Sequence, residues 1–249
     1  MVSTRLRALL IAFSFLTTLP VRYPGEVSVA ERRQSLYWYP VVGLAIGLIL
    51  LVATVFLPDA SLLGAALVLV LWIVLTGALH LDGLADCADA WIGGLGSREK
   101  TLRILNDPNA GAIAVVTLIS LLLLKLLAMA ELLMAEHAGF LLVAPVIART
   151  SPMILFATTP YVRHAGIGSH LRIDHQEQTA QYSVYLAVTL FSFLILGFSA
   201  MTVIVVALLV TLGVIVAAKK RLGGFTGDVA GALIELVEIS ACVVLALTV

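Results

Sequence analysis

Charge is what this sequence has least of. Asp, Glu, Lys and Arg make up 12% of its 249 residues, against 61% apolar. A soluble domain carries about 25% charged and about 45–50% apolar residues. That class is therefore excluded, and a mean hydropathy of +1.10 points to several membrane spans in one compact bundle covering residues 1–249. An excess of one sign is also missing: 15 basic residues meet 15 acidic ones, so no global field argues for a nucleic acid partner. Cysteine is scarce. Cys87 and Cys242 lie far apart with no CxxC pattern, which argues against a disulfide framework or a zinc site and leaves them as small helix fillers. No internal repeat, low-complexity tract or heptad run is present.

What is there is apolar runs, and they expect an all-α, polytopic transmembrane bundle of about six to seven spans. The first span runs from about Ser35 to Leu57. A "PDAS" turn leads to the second, about Leu62 to Leu79. The third covers about Ala110 to Met134 and the fourth about Gly139 to Thr158. Tyr182 to Ala217 is long enough for two spans bent near "GFSA", and Val229 to Val249 forms the last. The N-terminal stretch resembles a signal peptide but lacks a small-x-small cleavage site. Its apolar part, Ala8 to Leu19, is short for the ~30 Å hydrocarbon core, so an interfacial or re-entrant helix is expected. Gly43 and Gly47 in "GLAIG" have the spacing of close helix packing.

Lysine and arginine gather in alternate connections: Arg22, Arg32 and Arg33; Arg98, Lys100 and Arg103; Arg163 and Arg172; and Lys219, Lys220 and Arg221. The turns near Asp59, Glu136 and Gly197 carry none. With the 182–217 run as a hairpin, the basic segments share one side, which the positive-inside rule makes cytoplasmic.

The stretch "LHLDGLADCADAWIGG", from Leu79, follows an apolar span and holds Asp82, Asp86 and Asp89. On a helix, i, i+4 and i+7 share a face, and three carboxylates there repel. A hard cation between them relieves that: Mg²⁺ takes oxygen ligands and is commonly held by carboxylates plus substrate phosphates. The alternative is a solvated acidic loop. His80 lies on the other side of such a helix, as a cap, a base, a substrate contact or ordinary packing. The glycines that follow leave backbone N–H groups open to phosphate, and Arg98, Lys100 and Arg103 complement phosphate charge. Asp107, before Pro108, is either a site residue or a turn residue. "KKRLGGFTGDVAG" repeats this chemistry with Arg221, Thr226 and Asp228, while Lys219 reads as an interfacial anchor. Asp228 also suits a helix N-terminus.

Lys125, Arg149, Glu235 and Glu238 fall inside spans. A charge at mid-bilayer costs roughly 2.5–3.5 kcal/mol on insertion scales, so these four are expected to face inward and pair, as a structural lattice or beneath an active site. His164, His170 and His175 have no metal-binding spacing and read as loop residues.

Several ordered blocks carry a resemblance: "FLTTLPV", "YPVVGLAIG", "GALHLDGLADCADAWIGG", "ILNDPNAGAIAV" leading to "LLLK", "ARTSP" and "RLGGFTGDVAGALIELVE". Together they resemble the membrane-bound cobalamin synthases, the adenosylcobinamide-GDP ribazoletransferases. The chain departs from the usual pattern at Cys87, at "DAWIGG" and at "NDPNAGA", with the aspartates intact.

The resemblance implies a Mg²⁺-dependent transferase in a late step of cobalamin biosynthesis. It would join adenosylcobinamide-GDP to α-ribazole, or its 5′-phosphate, giving adenosylcobalamin, or its phosphate, and GMP. Asp82, Asp86 and Asp89 are then expected to hold Mg²⁺. Asp228, with Asp107 as a second candidate, would complete the shell or accept a proton, and Arg98, Arg103 and Arg221 would contact phosphate. His80 and Thr226 join the substrate-contact candidates. The expected location is the bacterial inner membrane, in contact with lipid, with the active-site loops cytoplasmic. A homo-oligomer or association with other late-pathway enzymes is left open. Two rival readings stand beside this one. A CDP-alcohol phosphotransferase-like enzyme carries DG, then AR, then two further spaced aspartates; here Asp82-Gly83 is followed by Ala85-Asp86, so that motif fails. A secondary transporter would use the intramembrane charges as an ion pathway.

Overall fold

The computed structural model describes residues 4–23, 25–57, 61–163 and 178–248. Regular structure in them is helical, apart from one isolated bridge between Tyr161 and Phe225. The order is α1 (Thr4–Leu16), α2 (Val29–Ser35), a 3-10 turn (Leu36–Trp38), α3 (Tyr39–Val55), α4 (Leu62–Thr76), α5 (Leu79–Gly93), α6 (Arg98–Ile104), α7 (Ala112–Met134), α8 (Phe140–Thr158), α9 (Gln178–Leu196), α10 (Ser199–Leu222) and α11 (Gly227–Ala246). Pro58, Asp59 and Ala60 of the expected turn, and Arg172, His164, His170 and His175, lie outside the described residues.

Six helical segments among the described residues are long and apolar enough to cross a membrane: Val29–Val55, α7, α8, most of α9, α10 and α11. The pair α4 and α5 makes a seventh, bent by 88°. The expected bundle of six to seven spans is therefore present. α1 has 13 residues, about 20 Å of helix, shorter than the ~30 Å core. Lipid-compatible faces are plain on the outside, where Val52, Leu63, Leu194 and Leu209 are exposed.

The centre is α8, buried along most of its length and flanked by α3, α11, α9 and α10. α3 approaches it through the two expected glycines. A side chain on Gly43 would overlap the Pro145 backbone, and one on Gly47 the backbone at Leu141 and Leu142. Pro152 has no N–H to give Ala148, whose carbonyl accepts instead from Ser151 Oγ at 2.6 Å. The proline is thus accommodated inside the helix.

Several boundaries differ from the sequence reading. The second span does not run on to Leu79. It ends at Thr76, where Gly77 (φ 60°) and Ala78 (φ 56°) both enter the left-handed region and turn the chain. The "TTLP" motif holds this corner: Thr18 N–H donates to Leu75 O at 2.8 Å, and Thr18 Oγ1 to Val74 O at 2.9 Å. These are carbonyls that the helix end leaves open. The more polar stretch between the second and third spans, His80 to Asn109, is mostly helical, as α5 and α6, which gives Asp82, Asp86 and Asp89 the helix expected for them. Likewise the gap expected between Ala217 and Val229 is narrower, because α10 continues to Leu222 and α11 begins at Gly227.

Candidate active site

The site forms where α5 crosses the start of α11. Gly83 makes the crossing close: a Cβ there would lie 2.7 Å from Asp228 O and 3.0 Å from Asp228 Cα. Gly231, one turn further into α11, backs onto His80, whose Cα would lie 3.4 Å from an added Cβ. With the helices in backbone contact, the carboxylates of α5 and Asp228 share one patch. The charges of Asp82, Asp228, Arg163 and Asp89 all reach Asp86.

The three α5 aspartates have separate fates. Asp89 is turned to the start of α7, where its oxygens accept from Gly111 N at 2.5 Å and Ala114 N at 3.0 Å. It thereby satisfies N–H groups that a helix start leaves open. Asp82 is exposed and Asp86 half-buried, and among the described residues neither carboxylate makes a hydrogen bond or ion pair. Asp228, in the first turn of α11, pairs with Arg163 at 2.8 Å. It also accepts from Thr226 Oγ1 at 3.1 Å, while Thr226 caps the helix through Val229 N.

Arg163 was read from sequence only as an orientation marker, and no local pattern singled it out. Its position comes from tertiary structure. Val162 N donates to Phe225 O, and Phe225 N to Pro160 O, both at 2.9 Å. Phe225 is buried edge-on against Phe156 and Tyr161, with ring centroids 4.8 and 5.3 Å apart. These contacts knit the segment after α8 to the "GGFTGD" segment and deliver the guanidinium to Asp228. Arg163 Nη2 also donates to Leu105 O at 2.8 Å.

The remaining candidates spread out. Arg221 donates to Trp91 O at 2.6 Å and Gly94 O at 3.2 Å, closing the C-terminal end of α5, a placement that also suits the helix dipole. Arg98 Nε donates to Leu222 O at 2.7 Å. Both guanidiniums are thus partly engaged in tying helix ends together. Arg103 is exposed and lies 3.9 Å from Glu99. Asp107 is also exposed. Its Oδ1 accepts from Asn109 N at 3.0 Å and Asn109 Nδ2 at 2.8 Å, and those bonds hold its carboxyl below the usual range. That is the geometry of a turn residue. His80 is only 2% exposed and sits in the interior.

Beneath the patch lies the buried charge lattice. Lys125 Nζ bonds Glu235 Oε1 at 2.8 Å and Glu238 Oε2 at 2.6 Å. Arg149 Nη1 bonds the other oxygen of Glu238, and the Trp72 ring centroid lies 4.1 Å from Lys125 Nζ. Two cations thus meet two anions, with Glu238 shared, as the cost of lone charges in a bilayer requires.

No three His, Cys, Asp or Glu side chains among the described residues converge as a ready-made metal cage. The commitment of Asp89 to α7 is one physical reason. The donor chemistry still suits a hard divalent cation completed by substrate. Mg²⁺ is usually held by one or two carboxylates plus phosphate oxygens, and Asp82 and Asp86 carry carboxylates without a partner among the described residues.

No solved structure matches the chain. The family described as cobalamin-5-phosphate synthase matches residues 8–246. An adenosylcobinamide-GDP ribazoletransferase of Pseudomonas syringae pv. syringae is 47% identical over 238 residues, covering 95% of this chain and 98% of its own length. Proteins of the same description from Pseudomonas fluorescens (strain SBW25) and Stutzerimonas stutzeri are each 46% identical, covering 95% and 97% of this chain and 98% of their own lengths. With its helical spans and its acidic patch at one rim, the chain belongs to the cobalamin-5-phosphate synthase family and is a transferase of cobalamin biosynthesis.

Proposed function

We propose that this chain joins adenosylcobinamide-GDP to α-ribazole, or to its 5′-phosphate, with Mg²⁺ and with release of GMP. The observation that carries this reading is the pair of carboxylates, Asp82 and Asp86, without partners among the described residues and beside the Asp228–Arg163 ion pair. The substrates are those named by relatives that match nearly the whole chain.

The reaction transfers the cobinamide-bearing phosphoryl group from GMP to a ribose hydroxyl. A ribose hydroxyl oxygen bonds to the phosphorus that carries the cobinamide arm. The bond from that phosphorus to the bridging oxygen breaks, and GMP leaves with that oxygen. Little covalent work falls to the protein, so positioning and charge compensation dominate. Asp82 and Asp86 would hold Mg²⁺, which when bound neutralises diphosphate charge. Arg163 presents positive charge at the same rim and keeps Asp228 oriented. Asp228 is placed to take the hydroxyl proton. Arg103 and Lys100, exposed on α6, are free to meet phosphate.

The acidic rim and the basic residues Arg98, Lys100, Arg103 and Arg163 belong to connections on the same side of the hairpin pattern. The positive-inside rule supports a site at the cytoplasmic face of the inner membrane. The four intramembrane charges bond one another, which suits a lattice that holds the bundle in register rather than an ion pathway.

The test is GMP release by the purified protein in liposomes, given adenosylcobinamide-GDP and α-ribazole. Asp82→Asn and Asp86→Asn should each lower turnover on the order of 10²-fold, the size seen when one electrostatic contact to a transition state is lost. Turnover at the wild-type rate in both variants, or undiminished turnover in excess chelator, would sink the reading.

A further inference from the structure

A cavity of about 560 Å³ lies between α8, α9 and α10, three helices whose apolar stretches are each long enough to cross a membrane. Its size falls within the ≈ 300–1,000 Å³ of small-molecule sites. Along α8 it runs from Thr158, at the end of the helix nearest Arg163, inward to Ile147. Those eleven steps of helix cover about 16 Å, and one leaflet supplies half of the ~30 Å hydrocarbon core. The cavity is therefore about as deep as one leaflet is thick. Its inner wall includes Thr150, Ser151 and Thr211, all buried, whereas Tyr182 (65% exposed) and Leu208 (45%) form its lip. It opens sideways, toward lipid. Of the described α9 residues only Gln181 and Ser192 are buried, so this helix is loosely covered by its neighbours.

The walls decide what fits. Among the described residues no charged side chain lines the cavity, and the hydroxyls are already spent on their own helices. Thr150, Ser151, Thr158 and Thr211 donate to the carbonyls of Val146, Ala148, Ile154 and Ala207 at 2.6–2.8 Å. Gln181 Nε2 donates to Tyr185 Oη at 2.6 Å and Met153 O at 3.3 Å. A phosphate or nucleotide here would lose its hydration and gain no cation. An empty void would forfeit dispersion contacts along its lining. Hydrocarbon suffers neither loss, and it is the solvent on the open side. A cation stands beyond the mouth. Lys219 follows Leu208 by eleven residues, about three turns, which puts both on one stripe of α10 about 16 Å apart. Lys219 is exposed, and its ammonium has no partner among the described residues. A lysine at a helix end holds its charge at the headgroup level.

We propose that the α8–α9–α10 cavity is a phospholipid site, in which an acyl chain of an anionic phospholipid fills the cavity and its phosphate pairs with Lys219. The chain completes the packing of α9 against α8 and α10. The apolar lining, the sideways mouth and the depth of one leaflet select the chain, and the unpartnered cation at the same end selects the headgroup charge. None of the residues that line the cavity belongs to the aspartate patch, so the inference stands whatever reaction the rim performs.

The test is native mass spectrometry of the full chain, extracted in mild detergent from vesicles of equal phosphatidylglycerol and phosphatidylethanolamine. The wild type should retain phospholipid, with phosphatidylglycerol favoured severalfold. Ala157→Phe from α8 and Thr189→Phe from α9 each put a ring into the cavity from a different wall, and each should lose most of the retained lipid. Lys219→Gln should still retain lipid but lose the preference for phosphatidylglycerol. Adding phosphatidylglycerol to delipidated protein should raise the thermal midpoint of the wild type and leave that of the two phenylalanine variants unmoved, which separates a filled cavity from an unfolded variant. Wild-type retention in both phenylalanine variants would overturn the site. An unchanged lipid preference in Lys219→Gln would overturn the headgroup contact. Dimers abolished by both phenylalanine substitutions, with no lipid on the monomer, would show that a second copy of the chain fills the cavity instead.

Discussion

Arg163 Nη2 lies 2.8 Å from Asp228 Oδ2, and this pair joins two segments that the sequence separates by two membrane spans. The same guanidinium reaches Leu105 O at 2.8 Å, so one side chain ties the end of α6, the segment after α8 and the start of α11. Asp228 owes its orientation to this cation and to Thr226. Arg163→Met should therefore reduce turnover roughly 10–100-fold, the range typical for loss of an orienting partner, and Arg163→Lys should recover part of it. GMP release by the two purified variants checks this. Equal rates in Arg163→Met and wild type would remove the pair from the working site.

Asp82 and Asp89 separate activity from stability. Asp89 caps α7 through Gly111 N and Ala114 N, and cap removal costs about 0.5–2 kcal/mol. Asp89→Ala should lower the thermal midpoint, and Asp89→Asn, whose single amide oxygen can still accept one of the two bonds, should lower it less. Asp82 has no such partners, so Asp82→Asn should leave the midpoint near wild type while turnover collapses. Thermal unfolding in detergent beside the product assay distinguishes the two. A loss of stability in Asp82→Asn matching that of Asp89→Ala would contradict this assignment.

Glu238 is the shared acceptor of Lys125 and Arg149, whereas Glu235 serves Lys125 alone. Breaking a buried pair by removing one partner destabilises by about 3–5 kcal/mol, because an uncompensated charge stays behind. Glu238→Ala should leave little folded protein in the membrane. Glu235→Ala should be milder, since Lys125 keeps Glu238. Yield of monodisperse protein and thermal midpoint rank the two, and the reverse ranking would show that Glu235 is the principal anchor.

Much of this was readable from residue order, and the gaps have physical causes. The inward pairing of Lys125, Arg149, Glu235 and Glu238 follows from the cost of charge in lipid. The sharing of Glu238 does not, since four pairings satisfy the same cost. The one-face spacing of Asp82, Asp86 and Asp89 follows from helix period. That Asp89 belongs to α7 does not, because its partner Gly111 arrives from beyond another helix. The corner at Ala78 hid inside an apolar run, where a left-handed alanine leaves no compositional trace. Arg163 looked like any loop cation because its partner comes from the far end of the chain.

Gly83 is where fold and site meet most tightly, and it gives a paired prediction. A methyl group there would lie 2.7 Å from Asp228 O and 3.2 Å from Asp228 C, and both are backbone atoms that no rotamer change can move. Gly83→Ala must push α5 away from α11. Such overpacking costs typically about 1–3 kcal/mol, and the shift carries Asp82 and Asp86 off Asp228. Turnover should fall on the order of 10²-fold, as sub-ångström to ångström misplacement of reacting groups does. Gly213, inside α10, is the control, because nothing lies within 4 Å of a Cβ added there. Gly213→Ala removes a flexible residue from a helix interior and should be neutral or stabilising by up to about 1 kcal/mol, with turnover unchanged. Thermal midpoints and GMP release for the two variants decide the matter. Wild-type turnover in Gly83→Ala would mean that close contact between α5 and α11 is not what brings the carboxylates together.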